Sequence, residues 1–191
     1  MLVIVMTLRP NSQKMLPFHR FQGRRLLMLI AVFILYTLWY VGPGYFGQMT
    51  RIAGHISLQE SGFYSGATAV EILSQLDEVG RKTKYLALIF DVPYMIMQAL
   101  VFEALIAFGM RHIKPRNPKW NLLFLLPIGF LLADLAEDSF IALTLASGSV
   151  VWGSLAGYMT VLKFLTFIPA IIVSLIMLFG GILAWRRERN V

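Results

Sequence analysis

WNLLFLLPIGFLLADLAEDSFIALTLA, residues 120–146, is the stretch that decides the fold. Three carboxylates, Asp134, Glu137 and Asp138, stand inside an otherwise apolar run. At i, i+3 and i+4 a helix puts them on one face, within an arc of roughly 100°. A run this long and apolar reads as a membrane span, where ionisable groups are rare, face the protein interior and have a partner. The rest of the chain must therefore supply that partner and the helices around it.

Working outward, the composition agrees. Of 191 residues 58% are hydrophobic and 14% charged, with a mean hydropathy of +0.69. A soluble domain of this size could not hide so much apolar surface. The absence of cysteine excludes disulfides, thiolate catalysis and cysteine-held metals. His19, His55 and His112 all lie outside the apolar runs, so there is no haem or zinc-cysteine signature, and no nucleotide signature. The net charge of +7 is concentrated in three places: Arg9, Lys14, Arg20, Arg24 and Arg25; Arg111, Lys114, Arg116 and Lys119; and Arg186, Arg187 and Arg189. Those are the segments that the positive-inside rule puts in the cytoplasm, so the basicity reports topology and not nucleic-acid binding.

The expected fold is all-α, a four-helix transmembrane bundle with both termini cytoplasmic in a bacterial inner (plasma) membrane. Residues 1–25 form a basic cytoplasmic segment, with translation starting at Met1 or Met15, and 186–191 a basic tail. Residues 26–185 form one membrane domain with spans at about 26–46, 85–110, 120–146 and 155–185. The first resembles a signal peptide in its basic lead, but it is long and lacks a small-x-small cleavage pattern, so it reads as a retained anchor. Gly42-Pro43-Gly44 ends or kinks it, and Trp39, Tyr40 and Tyr45 suit an interfacial belt. The outer loop, 47–84, carries a small amphipathic helix capped by Ser65, running to about Val79 with Gly80 as its C′ residue. His112 reads as an exposed juxtamembrane residue.

Depth can be counted at ~1.5 Å per residue. From Asn121, Asp134 lies roughly 20 Å up and Asp138 roughly 26 Å up; Asp91 on the second span and Lys163 on the fourth reach the same outer third. Asp91, Tyr94 and Gln98 form a polar stripe, while Glu103 lies roughly 18 Å deeper than Asp91 and needs a partner of its own, is neutral or looks toward the cytoplasmic end. Four carboxylates against one lysine cannot all be ionised in a dry interior. Protons, a cation or water must answer them. The candidate catalytic set is Asp91, Asp134, Glu137, Asp138 and Lys163; the candidate ligand-binding residues are Tyr94, Gln98 and Glu103. A metal, if held, is a hard cation on Asp91, Asp134, Glu137 and Asp138. Three readings stand open: a structural or lipid-headgroup-binding network, intramembrane acid/base catalysis on a lipid or isoprenoid, and proton or cation translocation. The expected partners are membrane lipids and a second copy of the chain or a membrane complex.

Asp91 with a following tyrosine, Asp134-Leu135-Ala136-Glu137-Asp138 and Lys163-Phe164, preceded by Ser65-Gly66, Gly80-Arg81 and Tyr85, resemble a bacterial family of uncharacterised four-span membrane proteins. That family reads aspartate in span two, Asp-x-x-Glu-Asn in span three and Lys-Phe/Trp in span four. The resemblance covers about Ser61 to Phe167, and Asp138 departs from it where asparagine is expected. It implies the constellation Asp91, Asp134, Glu137 and Lys163 and implies no reaction. A fainter likeness is to the sterol-isomerase and sigma-2-type domain, which also buries acids in a helical bundle.

Overall fold

The structure, a computed structural model, describes residues 23–52, 58 and 63–189. The expectations for Met1 or Met15 as the start, for His19 and His55, and for the last two residues fall outside these. The described residues form α1 (Arg24–Val41), α2 (Tyr45–Ile52), α3 (Gly66–Ser74), α4 (Glu78–Ile113), α5 (Leu125–Ser147) and α6 (Val150–Arg189), with no strand among them. A 3₁₀ segment, Pro118–Phe124, leads into α5. Three stretches are long and apolar enough to cross a membrane: Arg24–Ile52, Glu78–Ile113 and Val150–Arg189. The third helix of the expected four, α5, is 23 residues long, but its three central acids keep it outside that group.

The helix limits move from their expected places for reasons of capping. Ser65 does cap α3, accepting from the Thr68 N–H at 3.1 Å. That helix stops at Ser74 instead of running to Val79, because Asp77 turns extended and accepts from the Gly80 N–H at 2.7 Å. Gly80 thus belongs to the first turn of α4 and is not a C′ residue, and the second long helix starts at Glu78 instead of about Tyr85. Asn117 caps the 3₁₀ segment, so α5 begins at Leu125 and not at Trp120. At its other end Gly148 takes φ 66°, a left-handed conformation that favours glycine, and α6 follows from Val150 rather than Leu155. Gly42-Pro43-Gly44 does end α1, and the chain resumes as α2 at Tyr45.

Contacts along the helices fix their directions. Tyr36 and Tyr40 bond to Phe90 and Ala87, while Leu26 packs with Val101 and Leu105, so α1 and α4 are antiparallel. Arg81 reaches Leu145 at one end of α4 and Ala107 packs with Phe124 at the other, so α5 is antiparallel to α4. Phe140 stacks on Trp152 and the Phe130 ring meets Phe167 at a tilt, so α6 is antiparallel to α5 and parallel to α4. The core is the mutual packing of α4, α5 and α6. Helix α1 lies on α4, and α3 covers the first turns of α6 and the last turns of α5. This arrangement brings Arg24 and Arg25, Arg111 to Lys119, and Arg186 to Arg189 to one end of the bundle. There Glu188 pairs with Lys114 at 2.6 Å and His112 at 3.3 Å, so His112 is tucked against α6 and the Phe108 ring, not exposed as expected.

Close approach of α4 and α6 depends on small residues. A Cβ on Gly109 would overlap the Met177 carbonyl oxygen, and Gly181 faces Gly109 and the Phe108 ring. Gly109→Ala is therefore expected to destabilise the protein by about 1–3 kcal/mol, read as a lower melting temperature of the purified protein in detergent.

Candidate functional site

The geometry starts on α5. Asp134, Glu137 and Asp138 all turn inward and are buried, Glu137 completely. From α6 the Lys163 ammonium sits 3.2 Å from Asp134 Oδ1 and closer still to Glu137 Oε2. One turn earlier on α6, Thr160 donates to Glu137 Oε1 at 2.7 Å. Lysine and threonine thus grip both oxygens of Glu137 from one helix face, the i, i+3 spacing making the two side chains neighbours.

Helix α4 closes the other side. One carboxylate oxygen each from Asp91, Asp134 and Asp138 lie within 4.8 Å of one another, and all three residues are buried. The convergence expected from depth counting is thereby in place for Asp91, Asp134, Glu137, Asp138 and Lys163. Sequence reasoning missed Lys84, assigned to the solvated loop. It is 5% exposed, and its electrostatic neighbours are Asp138 first, then Asp91 and Glu137. The signal was available: Lys84 precedes Asp91 by seven residues, two helical turns on the same face. Its burial follows from α4 starting early, at Glu78, which carries Lys84 along the helix under the cap. Tyr40, expected in an interfacial belt with Trp39 and Tyr45, is instead buried. Its hydroxyl donates to the Ala87 carbonyl at 3.1 Å and lies within reach of Asp91.

The cluster is sealed between two apolar layers. On the α3 side are Leu58, Tyr64, Leu73, Leu88, Ile141 and Leu145. On the basic-end side are Met95, Phe102, Phe130 and Ala170. Tyr64 is 4% exposed and is pressed onto α6, where its carbonyl oxygen occupies the space a Cβ on Gly157 would take. Its hydroxyl faces Thr160, Glu137 and Lys163. Burial pushes that hydroxyl above the ordinary tyrosine range, so it stays protonated and offers a donor inside the cluster.

The three remaining candidates divide. Tyr94 is half-buried beside the cluster, stacked on Phe33 at 5.6 Å and against Tyr40 at 5.3 Å. Gln98 is half-buried one turn further along α4. Glu103 stands apart, 2% exposed, with neither carboxyl oxygen hydrogen-bonded among the described residues.

No protein-family model, curated protein or solved structure matches the chain. The geometry thus defines the class: an all-helical protein with three helices that could cross a membrane and a buried cluster of four acids and two lysines. Chemically such a cluster can hold protons, a hard cation or its own helices. A buried unpartnered carboxyl carries a desolvation cost of about 1–3 kcal/mol. Glu103→Met is expected to raise the melting temperature, whereas a loss would mean that Glu103 has a partner beyond the described residues.

Proposed function

We propose that this is a non-catalytic four-span protein of a bacterial inner membrane, a subunit or scaffold whose acid–lysine cluster is a clasp that joins α4, α5 and α6. The observation that carries the reading is Lys163 of α6 held between Asp134 and Glu137 of α5, with Asp91 of α4 against the same group. A network of this kind fixes helix register, which apolar packing alone leaves free to slide.

The fourth span is α5. Its inward face carries the acids, while its outward face exposes Leu125, Ile128, Leu132 and Leu143. Ser139, also exposed, satisfies its hydroxyl on the Leu135 carbonyl at 2.7 Å. Acids that face inward do not prevent a helix from meeting lipid. Gathering the basic segments at one end supports a cytoplasmic location for that end and for both termini. On that reading α3 and the cluster lie toward the outer side. Exposed Leu27, Val32, Leu35 and Leu38 on α1 suit contact with lipid or with another membrane chain. The family resemblance on Asp91, Asp134, Glu137 and Lys163 points to the same architecture.

A clasp fits better than a headgroup pocket. All six charged groups are buried under apolar layers, and four acids against two lysines repel a phosphate. Removing one partner of a buried ion pair costs about 3–5 kcal/mol. Lys163→Met is therefore expected to lower the melting temperature of the purified protein by roughly 10 °C, at ~2–4 °C per kcal/mol for a chain of this size. Asp134→Asn is expected to lower it less, because Glu137 keeps its lysine. If Lys163→Met melts like the wild type, the clasp reading fails.

A further inference from the structure

Resting on the reading of this chain as a membrane protein with its basic end cytoplasmic, we infer that this end is a docking surface for anionic phospholipid. The lipid sits on the last turns of α6, with its phosphate on Arg186 and Arg187 and its acyl chains on Phe179 and Leu183. The surface uses no residue of the buried cluster. Its position follows from packing. Leu26 of α1, Leu105 and Phe108 of α4 and Leu178 of α6 share one apolar layer, so the start of α1 meets α4 and α6 near their ends. Arg24, Arg25, Arg111, Arg186 and Arg187 are thereby gathered at one place, all of them exposed.

Charge is the first ground. None of these five arginines has an ion pair among the described residues. Glu188 is the only acid at that end, and it is taken by Lys114 at 2.6 Å and His112 at 3.3 Å. An arginine, unlike a buried carboxyl, cannot shed its charge by titration. The counter-charge must therefore come from outside the chain. A guanidinium matches a phosphate through two parallel N–H donors.

The second ground is the apolar face that runs into that charge. Phe179, Leu183 and Arg186 follow at i, i+4 and i+7, so they share one side of α6, and all three are exposed. At ~1.5 Å per residue Phe179 lies roughly 10 Å along the helix from Arg186. Free phosphate would leave Phe179 and Leu183 uncovered, whereas a phospholipid covers both. Height is the third ground. Trp120 and Trp185 are exposed at this end, and the Arg189 guanidinium lies 4.3 Å from the centre of the Trp185 ring. Exposed tryptophans belong at the headgroup level, which sets the arginines level with lipid phosphate and not out in water. Basic pockets between helices on the cytoplasmic side hold anionic headgroups.

The test uses the full chain in phosphatidylcholine vesicles in which a minor share of the lipid carries brominated acyl chains, as either phosphatidylglycerol or phosphatidylcholine. Bromine quenches a tryptophan that it touches, so Trp120 and Trp185 report lipid at this end. Wild type is expected to take phosphatidylglycerol over phosphatidylcholine by about twentyfold, at about fivefold for each of two basic residues near the surface. Arg186→Gln should lower the preference about fivefold, and the double variant Arg186→Gln, Arg187→Gln should abolish it. High salt should weaken the wild-type preference by screening. Lys82→Gln, an exposed lysine at the opposite end, should leave it unchanged. Equal quenching of wild type by the two lipids, or a double variant that keeps the preference, overturns the site. Failure of the membrane reading shows separately, as release of the wild-type chain from vesicles by alkaline carbonate, and failure of the clasp as an unaltered melting temperature of Lys163→Met.

Discussion

The Lys163 ammonium between Asp134 and Glu137 is the contact on which the rest of the structure depends. In an apolar bundle, side-chain packing tolerates small slides and rotations, whereas a buried charge pair does not. Once Lys163 faces α5 at this height, Thr160 meets Glu137 one turn away. Ala170 then enters the layer with Phe130, and α6 presents Gly181 to Gly109 of α4. The apolar contacts follow from the polar one, because the helices are continuous and a fixed point sets the register over their whole length.

Burial of that contact is made possible by the cap. Tyr64 and the start of α3 sit so closely on α6 that Gly66, Gly153 and Gly157 leave no room for a Cβ. At the same end, Arg81 donates to the Leu145 carbonyl, one of the last acceptors of α5 left without an intrahelical partner. A cation there also answers the negative end of the helix dipole. The same few residues therefore close the cluster, finish α5 and seat α4, which makes this end of the bundle more specified than the basic end.

Charge distribution links architecture to the proposed roles. The basic segments gather at one end, the acids and two lysines toward the other, and Glu103 lies between them without a hydrogen bond among the described residues. A polar cluster that only held helices together would balance its charges more cheaply with two acids fewer. The surplus of acid is the feature that a purely structural reading does not use.

Much of this was written in the sequence. Apolar runs separated by basic or glycine-proline breaks fixed an all-helical chain, since lipid-scale hydrophobic stretches satisfy their backbone only as helices. Counting ~1.5 Å per residue brought Asp91, Asp134, Glu137, Asp138 and Lys163 to one height, because depth along a helix is a local property. Helix limits were less legible: Asp77 and Asn117 compete for backbone N–H groups, and which cap wins depends on what packs above it. Only the tertiary structure decided that Lys84 and Tyr40 turn into the cluster, that α1 lies on α4 beside a three-helix core, and that Tyr64 seals the site. Those facts depend on which faces of separate helices meet, and no periodicity within one helix encodes the partner it will find.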